Sequence, residues 1–448
     1  MSRKTGEKPG AAWHALPVLA DIARAIRETG GRALLVGGGV RDQLLERGVD
    51  DLDIEVLGLD LDALQALLIR FGDPIRLGRS YEIIRLRGLD VDFSVAASPD
   101  LDFAQAARRR DLTINSIAID PLTDEILDPH GGRQDLAAKV LRATHATSFG
   151  DDPLRALRVA RFTACLEMEP DAELERLCAE QDLAGVSAER SFDEIRRTLL
   201  EADRPSRALA FLEKTRLLRY FPEIEALAGV PQDSEWHPEG DVHVHTLMVV
   251  DEAARLRAGD DDDIALMLGA LCHDLGKPLC TEEHGGRIRS LAHDRLGVPP
   301  TRALLGRLRA PVQLVTRVAA LVEHHLAPAL FLKNGAGARG YRRLARKLEA
   351  AGVSMQLLER VARADHFGRT TEEALARCFP AGDAFLDRAA EQGVEASGPI
   401  DVVQGRHLVA RGLSPGPHFG EILERCRRIQ DETGETNAER ILEEVLPD

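Results

Sequence analysis

Apolar positions change their spacing along this chain in an ordered way. Leu16, Leu19, Ile22, Ala23 and Ile26 recur at helical spacing and predict an amphipathic helix behind a polar leader. Between residues 31 and 145 short apolar runs alternate with helical stretches, and 33–37, 51–57, 82–86 and 91–95 read as strands. From 150 to 230 the pattern is helical. There Leu154, Leu157, Val159, Ala160 and Phe162 take one face, and Arg155, Arg158 and Arg161 the other. Residues 241–370 read as a second helical region, rich in His and Asp. From about 395, Gly405, Gly412 and Pro415-Gly416-Pro417 read as turns before a final amphipathic helix. The pattern predicts an α/β head followed by all-α segments.

The first strand runs into Gly37-Gly38-Gly39, and Val40-Arg41-Asp42 then opens a helix-like stretch. Glycines let a backbone approach a phosphate closely, and a helix N-terminus favours negative charge. Asp51-Leu52-Asp53 heads the next apolar run. In a strand the period of two puts both carboxylates on one face. Paired carboxylates beside a triphosphate cradle suit Mg²⁺-assisted nucleotidyl transfer, because the ions bridge phosphate oxygens. A glycine turn or an Asp-x-Asp loop alone is commonplace; their order and spacing together carry the reading.

Further along come Arg108-Arg109-Arg110-Asp111 with Asn115, the turn Asp128-Pro129-His130-Gly131-Gly132, and Asp151-Asp152-Pro153-Leu154-Arg155 with Arg158 one turn later. Ser187-Ala188-Glu189-Arg190, Leu218-Arg219-Tyr220-Phe221-Pro222 and Glu235-Trp236-His237-Pro238-Glu239-Gly240 follow. As an ordered set these segments resemble the bacterial class II tRNA nucleotidyltransferases, the CCA-adding enzymes and their poly(A) polymerase relatives, over nearly the whole chain. The resemblance implies a polymerase-β-like α/β head (1–145), an all-α neck and body (146–232), an all-α HD domain (233–375) and a helical tail (376–448). It implies that CTP and ATP are used to add C, C and A to tRNA 3′ ends without a nucleic-acid template.

On that resemblance Asp51 and Asp53 ligate the catalytic Mg²⁺, and Gly38, Gly39 and Arg41 cradle the triphosphate. Arg110 contacts the nucleotide, while Asp111 and Asn115 orient the ribose or the head fold. Asp152 and Arg155 read the incoming base by Watson–Crick-like hydrogen bonds, and Arg158 touches nucleotide as well. A base without the matching pattern leaves buried polar groups unpaired. Asp151 stands where Glu is usual. Asp92 is either a third acid or a solvated strand-edge residue. Residues 94–107 hold no Arg or Lys, whereas relatives that add the final A carry a charged, flexible loop there. A CC-only enzyme is therefore the nearest rival.

In the second helical region His245, His273-Asp274 and Asp365 recur on helical segments. This set resembles the HD phosphohydrolases, and implies a divalent metal of unassigned identity that activates water against a phosphoester. His293 and His325 extend the site to a second metal or bind phosphate. His324 is either part of the site or not, and His237 and His243 read as structural. A further rival makes this domain the working part and the head a non-catalytic RNA sensor.

At 448 residues the chain implies about two to four domains. Its net charge of −16 argues against a generally sticky nucleic-acid binder. RNA binding then needs local basic faces: Arg108 to Arg110, Arg155/Arg158/Arg161, or residues 339–347, the last being equally readable as a solvated helix face. The N-terminus has no signal-peptide core, and no apolar run reaches the ~20 residues of a membrane span. The six cysteines show no paired spacing, as in a reducing cytosol, so a cytoplasmic protein is expected. Monomer and homodimer are both open.

Overall fold

The computed structural model describes residues 13, 16–49, 52–77 and 83–446. The chain forms two compact units, residues 1–185 and 186–448.

The first unit is built on a seven-stranded sheet of order β3-β4-β5-β2-β1-β6-β7. The strands are β1 (Arg32–Val36), β2 (Leu52–Leu57), β3 (Pro74–Leu77), β4 (Ile83–Leu86), β5 (Val91–Val95), β6 (Ala118–Ile119) and β7 (Ile126–Leu127). Within this sheet β2 and β5 run parallel and the other described pairs are antiparallel. A separate short parallel pair, Val140–Leu141 with Glu169–Pro170, corrects the all-helical expectation for 150–230. β1, β2, β4 and β5 fall on the apolar runs of the sequence, but residues 51 and 82 lie outside the described residues. β3 was not legible. It sits at the sheet edge with Ile75 and Leu77 exposed, so it carries no core-facing alternation, and its proline suits an edge.

Both faces of the sheet centre are covered, which is why β1 reads as a continuous apolar run. Helix α1 (Pro17–Glu28) packs on β1 and buries Leu19, Ile22, Ala23 and Ile26, the stripe visible in the sequence. Helix α2 (Gly38–Leu44) follows β1, and α3 (Leu61–Leu68) packs against α1. Helix α4 (Phe103–Ala107) is fixed by an Asp102–Gln105 capping box. It seats Phe103, Ala106 and Ala107 against Leu34, Val36, Leu57 and Ala118. The helix Leu154–Cys165 buries its expected apolar face. Arg161 departs from the expected basic face: it is buried, with its guanidinium 4.3 Å from the Phe162 ring centre.

The second unit is helical apart from one described hairpin. Its centre packs the helices Val242–Arg255, Asp263–Cys272, Val312–His324 and Met355–Phe367 on one another. The hairpin, Thr281–His284 with Arg287–Ser290, corrects the all-helical expectation for 241–370. Its strands are mostly polar on both faces, so no alternation marks them. The signal was Gly285-Gly286, both at positive φ as a tight two-residue turn demands. In the tail, Gly405 opens the helix Gly405–Ala410 rather than a turn. That helix joins His418–Thr433 and Ala438–Val445 around Leu408, Cys426, Ile441 and Leu442.

Candidate functional site

Two separate clusters carry chemistry. In the first unit, β1 ends at Val36, which pairs with Asp53 of β2. Gly37 then turns the chain at φ +76°, and a Cβ there would lie 3.0 Å from Asp53 Oδ2. The positive φ favours a glycine, and a Cβ there would make the Asp53 carboxylate give way, so the backbone passes close to that carboxylate. Asp51 lies outside the described residues. Asp53 pairs in register with Asp92 of β5. Asp92 is held by a two-pronged bond from Arg85 at 2.6 and 2.7 Å, so it is a paired acid rather than a solvated one. Glu55, two residues beyond Asp53 and on the same face, accepts from Arg110 Nη2 at 2.6 Å. Glu55 and Arg85 were missed from the sequence, although Glu55 continues the Asp51/Asp53 period.

Arg41 does not reach outward. Its Nε and Nη2 donate to Asp42 at 2.9 and 2.8 Å, and its Nη1 donates to Asn115 Oδ1 at 2.9 Å. Burial lowers its pKa, with Asp42 opposing that shift. Asn115 in turn donates to Asp111 Oδ1 at 2.9 Å, and Arg158 Nε donates to Asp111 Oδ2 at 2.8 Å. Burial works against the Asp111 charge, but Arg158 and Asn115 outweigh it and bring the carboxyl down to about 2. A buried chain thus links the helix after the glycines to the helix Leu154–Cys165. Asp111 and Asn115 are its interior links. Gly38 and Gly39 start α2 and are partly exposed. Asp152 Oδ1 caps Leu154 N at 3.2 Å, and Arg155 donates to the carbonyls of Ser148 and Arg109.

The second cluster is buried. His245, His273, Asp274 and Asp365 converge: His245 Nε2 lies 3.0 Å from Asp365 Oδ1, and His273 Nε2 lies 3.1 Å from Asp274 Oδ2. His293 Nε2 lies 3.4 Å from Asp274 Oδ1 and 3.3 Å from His325 Nε2, so both join the cluster on the far side of Asp274. His324 does not join it. The Nδ1 atoms of His273, His293 and His325 face the carbonyls of Ala270, Ser290 and Val322, each at 2.8 Å. Hydrogen bonds of this kind fix ring orientation and leave Nε2 free for a metal. His273 Nε2 and both oxygens of Asp274 are buried without a well-aligned hydrogen bond. Imidazole and carboxylate atoms converging in this way fit a divalent cation. Burial opposes charge on His273, yet Asp274 and Asp365 outweigh it and its pKa is raised. Burial, then His293 and His273, push His325 down to about 3.

Residues not singled out as site members complete this cluster. Lys277 Nζ lies 2.7 Å from Asp274 Oδ2, and Arg369 donates to both oxygens of Asp365. Each follows its acid by a helical spacing of three or four, which was readable. Glu239 Oε1 lies 2.8 Å from His245 Nδ1 and 2.9 Å from His237 Nδ1. Burial works against the Glu239 charge, but those histidines outweigh it and hold the carboxyl well below its usual range. His237 is therefore attached to the cluster, whereas His243 points to Glu213.

Residues 78–142 match the poly A polymerase head domain, and 172–227 match the probable RNA and SrmB-binding site of polymerase A. A multifunctional CCA protein of Xanthomonas campestris pv. campestris is 37% identical over 426 residues, covering 88% of this chain and 96% of that protein. The chain belongs to the multifunctional CCA protein family. The family member of Methylococcus capsulatus is 33% identical over 88% of this chain and 93% of its own. Among solved structures, the Bacillus stearothermophilus CCA-adding enzyme in complex with CTP has a TM-score of 0.63 at 22% identity, covering 96% of each chain. The Thermotoga maritima CCA-adding enzyme complexed with tRNA has a TM-score of 0.60 at 22% identity, covering 97% of this chain and 95% of its own. The fold is that of the CCA-adding enzymes, a class that uses divalent metals. No described helix is long and apolar enough to cross a membrane.

Proposed function

We propose that this protein adds C, C and A to tRNA 3′ ends from CTP and ATP, in the cytoplasm, and that residues 233–375, within its second unit, form a metal-dependent HD phosphohydrolase domain. The observation that carries the first activity is the passage of Gly37 over Asp53 beside Arg110, where a triphosphate and a metal-binding carboxylate meet. Asp51 and Asp53 would hold Mg²⁺, which would offset the charge of the phosphate oxygens. Gly38 and Gly39 present backbone to the triphosphate. Arg110, steadied by Glu55, faces the nucleotide. Asp111 and Asn115 hold Arg41 and Arg158 in place from within the fold. Asp152 and Arg155, anchored at the start of one helix, select the base. The names of the family members support CCA addition.

The test is extension of a tRNA transcript lacking its terminal CCA, with CTP, ATP or both, at single-nucleotide resolution. Three added nucleotides with both substrates is the expected result. Residues 94–107 favour one other reading, CC-only addition. They form the end of β5, a bend and the packed helix α4, and contain no basic residue. A stop at two nucleotides would establish that reading. Asp53→Ala is expected to abolish extension; full extension by that variant would leave the head a sensor and the second unit the working part.

For the second activity, His245, His273, Asp274 and Asp365 are the ligands, with His293 and His325 beside them. These residues would hold a divalent ion, which would lower the pKa of a bound water toward neutrality. Lys277 and Arg369 balance the carboxylates and lie ready for phosphoryl oxygens. His273→Ala is expected to lose phosphatase activity and keep nucleotide addition.

A further inference from the structure

We propose that Trp236 is the platform on which a nucleobase stacks when a nucleoside phosphoester enters the second cluster, so that this residue sets a preference for nucleotides over simple phosphoesters. The inference rests on the phosphohydrolase reading above and adds to it a residue that determines specificity.

A pocket of about 240 Å³ opens on that cluster, with Lys277, Arg369, His293, His237, Gln232 and Trp236 in its lining. Lys277 and Arg369 line it, each paired with an acid of the cluster, Asp274 and Asp365, and both have further N–H donors to offer. Those donors suit phosphoryl oxygens. The pocket is smaller than the roughly 300–1,000 Å³ of sites that enclose a drug-sized ligand. It takes the phosphoester and leaves the group the ester carries at the rim.

The rim is where Trp236 stands, 55% exposed, whereas Trp13 is buried at 5%. The indole is not there for packing, but its backbone is fixed. The amides of Trp236 and His237 both donate to the Asp233 carbonyl, at 3.1 and 2.9 Å. His237 is tied to Glu239 and through it to His245. On the hairpin, Arg287 lies 3.3 Å from Glu235, and Ile288 lines the same pocket. An aromatic face held at a fixed offset from a phosphate subsite recognises the two ends of a nucleotide, because every base has a stacking face. An aliphatic phosphoester uses the phosphate subsite alone.

The test compares 2′-AMP with glycerol 2-phosphate on the full-length protein. 2′-AMP should quench the fluorescence of the parent and not that of Trp236→Phe, and glycerol 2-phosphate should quench neither. In steady-state assays Trp236→Ala should raise KM for 2′-AMP about tenfold, the scale of one lost base stack. Trp236→Phe should recover most of that, and kcat/KM for glycerol 2-phosphate should not change. Equal effects on both substrates, or none on either, would overturn the platform. Hydrolysis of neither substrate by the parent would instead remove the phosphohydrolase reading, and the quenching arm would then decide the base contact by itself.

Discussion

Arg158 reaches from the helix Leu154–Cys165 to Asp111, with its Nε 2.8 Å from Asp111 Oδ2. Through Asn115 this pair also sets the position of Arg41. The helix that carries Arg155 and Arg158 and the glycine turn after β1 are therefore tied together by side-chain hydrogen bonds.

Removing one partner of a buried pair costs more than the pair itself contributes, because the remaining charge is stranded. Arg158→Met should destabilise the protein by about 3 kcal/mol, less to the extent that Arg158 is partly exposed. The double variant Asp111→Asn/Arg158→Met should recover much of that loss. Urea denaturation of Arg158→Met, Asp111→Asn, the double variant and the parent checks this.

The same carboxyl gives a pH dependence. Asp111 is brought to about 2 in the fold, below the roughly 3.9 of an unfolded Asp. A lowered folded pKa contributes stability that is complete above the unfolded value and is lost as pH falls through the folded one. Between about pH 4 and 2 the parent should lose stability that Asp111→Asn does not lose. Thermal unfolding across that window, read as the difference between the two proteins, measures it.

Gly37→Ala combines a backbone strain of about 1–3 kcal/mol with a Cβ pressed on Asp53. Nucleotide addition should fall by at least tenfold, while phosphatase activity in the same preparation stays unchanged. Equal loss of both activities would indicate general unfolding instead of a local effect.

Arg41→Lys keeps the charge but cannot bond Asp42 and Asn115 together, since Lys lacks the planar fork. CTP should bind about tenfold more weakly, the scale of one hydrogen bond to a charged group, lost here within the fold that positions the glycine turn and not to the nucleotide itself. Equilibrium binding of CTP is the measurement.

Glu239→Gln removes the charge that fixes His245 while keeping the side-chain shape. Affinity for a divalent ion at the second cluster should fall roughly 10–100-fold, as for other partners of metal-binding histidines. Calorimetric metal titration checks it, with tRNA extension expected to remain at the parental level.

The sequence by itself determined the strands that lie in the sheet centre and the apolar stripes of the helices, and it singled out the candidate residues Asp53, Arg110, His273 and Asp274. Each was legible because its signal is local: a period of two, a period of 3.6, or a motif within a few residues. Tertiary structure alone decided the partners. That Arg41 turns inward to Asn115, that Arg161 is buried, that Glu55 steadies Arg110 and that Glu239 holds His245 all depend on segments brought together from distant parts of the chain. The edge strand Pro74–Leu77 and the polar hairpin were invisible for a related reason: burial writes the periodic pattern into a sequence, and those strands are too little buried to leave one.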